Sequence, residues 1–278
     1  MMKKFLALML AMVMALSLAA CGGTSNDNTS DGAKDNAEKT ELVLGTSADY
    51  APFEFMYPDE SGEMVYGGID VSVAKYIAED MGLSLKVENM GFDYLLTSLD
   101  KGDFDIVLAA MEATPDRLAN ADFSDPYYTD VPPAILVKAD KAAQYKTLAD
   151  FNGKSVGAQT ATTKLDMVNE IEGANPVALQ SVLDLVNELV YDKVDAILVD
   201  GGVAAEYAAS NPDLVVADAS SELGEATPYC VAVAKGDPKG LLPGINAAIA
   251  KMNEANMLET FIANADKLSD VAVNVTAE

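Results

Sequence analysis

From Leu42 onward the sequence alternates between short apolar runs of strand length and amphipathic stretches of helical period, and this alternation limits the fold more than any other feature. Val71, Ala74, Ile77, Ala78 and Met81 follow Asp70 at helical spacing, which predicts a helix capped by Asp70 and ended by Gly82. Leu83, Leu85 and Val87 then alternate as in a strand. Residues 92–99 read as a helix, Lys101 and Gly102 as a turn, and 105–109 as a buried strand. The grammar returns in the second half: a strand at 154–158, helices at 163–172 and 182–191, and a strand at 196–199. Segments 102–109 and 192–199 echo each other, each running from a turn into an apolar strand just before a polar loop. The pattern predicts an α/β protein of two βα lobes. In such sheets the loops beyond the carboxyl ends of the strands face the ligand crevice, which puts Ala110, Glu112 and Asp200 there.

Ahead of this region, Lys3 and Lys4 precede an apolar run over 5–16, and the small residues Ser17, Ala19 and Ala20 lead to Cys21. That order reads as a signal peptide over 1–20, shorter than the roughly 20 apolar residues of a comfortable membrane span. Leu18-Ala19-Ala20-Cys21-Gly22 resembles the bacterial lipobox, which implies a lipid on Cys21 and attachment to the extracytoplasmic face of the cell membrane. Residues 21–40 carry no apolar periodicity and are expected to form a tether. Cys230 then has no cysteine partner, so no disulfide framework is expected in an exported chain.

Composition excludes several functions. A formal net charge of −26 argues against a nucleic-acid partner. The chain has no histidine, which removes serine–histidine and cysteine–histidine catalysis and histidine-ligated metals. Neither a metal nor a cofactor is expected.

Thr114 can cap a short helix with Pro115 in its first position, presenting Arg117, whose planar fork suits a carboxylate. By itself this arginine could as well pair with Asp116 or Asp122. Thr162 and Thr163 open a helix whose free N–H groups suit an anion, although threonines there are more often caps. Asp200 could receive an ammonium or cap the helix that follows.

Taken in order, Gly45-Thr46-Ser47-Ala48-Asp49-Tyr50-Ala51-Pro52-Phe53-Glu54-Phe55, Gly68-Ile69-Asp70-Val71, the segment 105–111, Thr114-Pro115-Asp116-Arg117 and Phe123-Ser124-Asp125-Pro126-Tyr127-Tyr128 resemble successive motifs of the polar amino-acid-binding proteins of ABC importers. Lys154-Ser155-Val156-Gly157, Thr162-Thr163 and Asp200 extend the resemblance over the second half. It implies a two-lobed periplasmic-binding-protein-like fold of type II with a two-strand hinge, which the positions of the strands place near 134–138 and 230–234. Lobe 1 would take 41–135, with 233–278 returning to it, and lobe 2 would take 136–232. It also implies a monomer that binds a polar or charged L-amino acid, delivers it to a membrane permease and catalyses nothing. By the same resemblance Arg117, with Thr162 and Thr163, holds the ligand α-carboxylate and Asp200 its α-ammonium, while Tyr50 and Phe92 form walls beside Ala110. Phe53 and Phe55 are left to the core. Glu112 stands where many members have serine or threonine, and Ser47 where several binders of basic amino acids have aspartate. These departures pull in opposite directions and leave ligand identity open. A dehydratase-like enzyme using Glu112, or a ligand-binding sensory module, are the alternatives.

Overall fold

The computed structural model describes residues 40–276, so Cys21 and the expected signal peptide and tether lie outside the described residues. In chain order, β1 (Glu41–Thr46) leads through β2 (Asp49–Tyr50), β3 (Glu54–Pro58) and β4 (Met64–Gly67) to α1 (Ile69–Asp80), β5 (Ser84–Asn89), α2 (Leu95–Lys101), β6 (Ile106–Val107), α3 (Pro115–Leu118) and β7 (Ala121–Tyr128). Then come β8 (Ala134–Lys138), β9 (Ser155–Gln159), α4 (Thr163–Glu170), β10 (Asn175–Leu179), α5 (Val182–Val190), β11 (Ala196–Val199), α6 (Gly201–Ser210) and β12 (Leu214–Val216). The chain returns through β13 (Tyr229–Ala234), α7 (Leu242–Glu254) and α8 (Met257–Thr276).

Two five-stranded sheets result, ordered β5-β1-β6-β13-β7 and β10-β9-β11-β8-β12. In each, three parallel strands are followed by an antiparallel one. The expected echo between the halves is therefore real at the level of topology. The turns match as well: Gly102 (φ 85°) ends α2 before β6, and Asp192 (φ 59°) ends α5 before β11. A non-glycine residue tolerates that left-handed backbone best when short and polar, and the Asp192 carboxylate is fixed between Lys138 (2.8 Å) and Lys141 (2.5 Å).

The central strands read as continuous apolar runs because both their faces are covered. Ile106, Leu108, Ile197 and Leu198 are fully buried. Helices α1 and α7 cover one face of the first sheet, while Leu95, Leu99 and Phe104 cover the other. Tyr145, Phe151 and Val168 pack on the second sheet.

Three local expectations need correction. Asp70 is not the cap of α1: Gly68 precedes the helix with φ 119°, where a Cβ would fall 2.1 Å from the Phe53 carbonyl oxygen, and Asp70 lies buried in the first turn. Val73 rather than Val71 completes the buried stripe, and the helix begins at Ile69, two residues earlier than a cap at Asp70 requires. The crossings between sheets fall outside 134–138 and 230–234, which lie wholly within β8 and β13. The chain leaves the first sheet over 129–133 and comes back after the 3-10 turn Asp218–Glu222.

Candidate functional site

The polar groups that the sequence marks out meet where the two sheets face each other. Thr114 caps α3 as expected, accepting from the Arg117 amide N–H at 3.3 Å, with Pro115 in the first turn. This aims Arg117 away from Asp116 and Asp122 and toward Glu112, whose carboxylate it meets at 2.7 Å and whose carbonyl oxygen at 3.0 Å. The guanidinium also lies 5.3 Å from the centre of the Phe92 ring, a cation–π distance. Asp122 is taken by Lys235 instead. Phe92 is thus a support for Arg117, and begins with a 3-10 turn (Phe92–Tyr94) rather than a continuous helix.

The loop carrying Ala110 and Glu112 is tied from several sides. Asp70 accepts from the Ala110 N–H at 2.7 Å and from the Tyr127 hydroxyl at 2.7 Å, and Glu112 bridges to Tyr229 of β13. Ala110 holds φ 45°, and across the site Ala161 holds φ 63° just before Thr162. Left-handed alanines are strained, and strain of this kind gathers at functional sites. The Ala161 carbonyl oxygen accepts from Arg117 at 3.3 Å.

From the second sheet, Thr162 caps α4 by accepting from the Leu165 N–H. Thr163 turns its hydroxyl to the Glu112 carboxylate at 2.8 Å. Asp200 begins α6 but makes no side-chain cap; it accepts from the Tyr50 hydroxyl at 2.7 Å and returns its own N–H to that oxygen at 3.1 Å. Tyr50 is therefore a hydrogen-bond partner of Asp200 rather than a bare wall, and burial next to that carboxylate pushes its pKa well above the ordinary phenol value.

Two residues absent from the expected set complete the arrangement. Lys164, with its side chain 7% exposed, places its ammonium 2.5 Å from both Glu112 and Asp200. Burial opposes its charge, but the Asp200 and Glu112 carboxylates outweigh burial and raise its pKa. Burial likewise opposes ionisation of Glu112, yet Lys164 and Arg117 hold its pKa well below the usual carboxylate range. The second residue is Glu54. It is 1% exposed, its Oε2 has no hydrogen-bond partner, and burial together with Asp70, Asp49 and Asp200 pushes its pKa far up. Asp70 is also pushed up by burial, to about 7.

Glu54 lines a small cavity with Tyr50, Phe92, Ala110, Lys164 and Asp200. Its volume is about 10 Å³, near the lower limit for a single water. The facing lobes are drawn together by further contacts: Asp49 accepts from the Val182 N–H at 2.9 Å, and Gln180 donates to Asp93 at 3.1 Å. Outside the Arg117–Ala161 contact a recess of about 570 Å³ opens between Phe92, Asn120 and Lys235. No group of histidine, cysteine, aspartate and glutamate suited to a metal occurs among the described residues.

The family model for bacterial extracellular solute-binding proteins, family 3, matches residues 42–263. The arginine-binding extracellular protein ArtP of Bacillus subtilis is 34% identical over 264 residues, 93% of this chain and 96% of its own length. A probable histidine-binding protein of Campylobacter jejuni is 29% identical over 94% of this chain and 98% of its own. Among solved structures, the amino acid ABC transporter substrate-binding protein AbpA of Streptococcus pneumoniae, bound to L-arginine, superposes with a TM-score of 0.77 at 31% identity, covering 83% of this chain and 96% of that one.

Proposed function

Because the chain belongs to the bacterial extracellular solute-binding proteins of family 3, we propose that it captures an L-amino acid with a cationic side chain between its two lobes and delivers it to an ABC permease. Its relatives are binding proteins rather than enzymes, and the dehydratase alternative is set aside. On this reading the protein works as a monomer held on the extracytoplasmic face by a lipid on Cys21. Lobe 1 comprises 41–128 with the returning segment from Tyr229, and lobe 2 the segment between them.

The observation that carries the reading is the convergence of Arg117 and Asp200 from opposite sheets, a guanidinium and a carboxylate suited to the two charged ends of one zwitterion. Ala110, Thr162 and Thr163 frame the carboxylate end, and Tyr50 orients Asp200. Glu54 supports a cationic side chain: it offers a buried carboxyl oxygen with no partner, in a cavity walled by Tyr50 and Phe92. It takes the part that aspartate at position 47 would have played. The arginine bound by the pneumococcal neighbour points the same way.

Titration calorimetry with L-arginine, L-lysine, L-histidine, L-glutamine and L-glutamate tests this, with the cationic members expected to bind most tightly. Burial raises the pKa of Glu54, so below that pKa a cation beside it favours the ionised form and complex formation should release a proton. The sign follows: a group protonated when free and ionised when bound makes affinity rise with pH, by at most about tenfold per unit for one proton. Heats in two buffers of different ionisation enthalpy measure that proton. Preference for glutamate, or cation binding without proton release, would remove Glu54 from the role.

A further inference from the structure

The two groups that the proposed function assigns to the charged ends of the ligand, Arg117 and Asp200, each already have an internal partner of the ligand's own chemistry. The Glu112 carboxylate sits on Arg117 at 2.7 Å, where the ligand α-carboxylate would go. The Lys164 ammonium sits on Asp200 at 2.5 Å, where the ligand α-ammonium would go. The two are joined to each other at 2.5 Å across the cleft, Glu112 from the first lobe and Lys164 from the second. Thr163, which begins α4 beside the expected anion site, donates to the same Glu112 carboxylate at 2.8 Å.

Resting on that function, we infer that Glu112 and Lys164 together form a built-in surrogate for the zwitterion, a tethered pair that holds the empty cleft shut and that an incoming amino acid must displace. Charge balance supports it. Two carboxylates, Glu112 and Asp200, face two cations, Arg117 and Lys164, with side chains 5–10% exposed, and the neutral set needs no ligand to complete it. Volume supports it as well, since the cavity between these groups has room for one water at most. A ligand then binds only the fraction of molecules in which the surrogate has let go, and its apparent affinity is reduced by that fraction. Both members depart from a purely receptive site: a threonine or serine at position 112 would leave Arg117 without the Glu112 carboxylate, and a shorter side chain at 164 would leave Asp200 without the Lys164 ammonium.

The test uses two variants of opposite charge change, Lys164→Met and Glu112→Thr, each taken through arginine titration and small-angle scattering without ligand. The surrogate requires both to bind L-arginine more tightly than the wild type, by about tenfold or more, and both unliganded variants to have a larger radius of gyration than unliganded wild type. A generic charge effect on a cationic ligand would instead strengthen binding in the first variant and weaken it in the second, which overturns the inference. Unchanged scattering in both variants overturns it too. Weaker binding by Lys164→Met would make Lys164 a direct ligand contact and has the same consequence. If no amino acid binds to any of the three proteins, the proposed function itself fails and takes the displacement step with it, whereas binding by the wild type with no gain in either variant overturns the surrogate alone. Circular dichroism of each variant confirms that its fold is retained.

Discussion

Arg117→Ala is expected to remove measurable amino-acid binding while leaving the unliganded protein folded. Truncating one partner of a buried, hydrogen-bonded charge pair costs about 2–5 kcal/mol, and here the missing partner would be the one facing the ligand carboxylate. The unliganded fold has cover for the loss: Glu112 keeps Lys164 and Thr163, so no carboxylate is left buried alone. Arg117→Lys should recover little, because one ammonium nitrogen cannot replace both guanidinium nitrogens, Nη1 on Glu112 and Nη2 on the Ala161 carbonyl, nor lie flat on Phe92. Calorimetry with L-arginine reads the affinity and thermal unfolding the stability. Retained binding by Arg117→Ala would detach the carboxylate end from this residue, and a large fall in unfolding temperature would make Arg117 structural.

The largest effect on stability is expected from Phe53→Ala. Phe53 is fully buried, with its ring 5.4 Å from Tyr229, 5.6 Å from Tyr128 and 6.2 Å from Tyr50. Tyr128 ends the last strand before the chain leaves the first sheet and Tyr229 begins the first strand after it comes back, so one phenyl ring braces both crossings. Removing such a ring costs about 3–5 kcal/mol, which for a domain of this size lowers the unfolding temperature by roughly 6–20 °C. Chemical denaturation measures the loss directly. A change below 1 kcal/mol, on the order of a surface substitution, would show that the three tyrosines pack without it. Tyr50 loses its backing in the same variant, so weaker ligand binding should accompany the instability.

Much of the α/β order was legible because its signals are local. Buried parallel strands leave unbroken apolar runs, as in 105–109 and 196–199, and the cap at Thr114 and turn at Gly102 are written in single residues. The misplaced cap of α1 has a long-range cause. Asp70 looks like a cap beside an apolar stripe, but its carboxylate is claimed by Ala110 and Tyr127, which lie far along the chain. Lys164 was missed because a lysine near a helix end usually reads as solvated surface. One signal was present: a cation in the first turn opposes the helix dipole, and such a placement needs a compensating anion. Glu54 carried a similar clue, an acid between Phe53 and Phe55 in a segment otherwise suited to the core. Neither clue names the partner, since Glu112 reaches Lys164 only through the facing of two sheets and Asp200 only through the pairing of β9 with β11.

The bond from the Tyr50 hydroxyl to Asp200 joins one lobe to the other. With no tryptophan in the chain, ultraviolet emission comes from tyrosine alone, and a phenol bonded to a carboxylate is a dim emitter. Each parting of the lobes should brighten that one ring, giving the protein a dye-free optical gauge of its own opening.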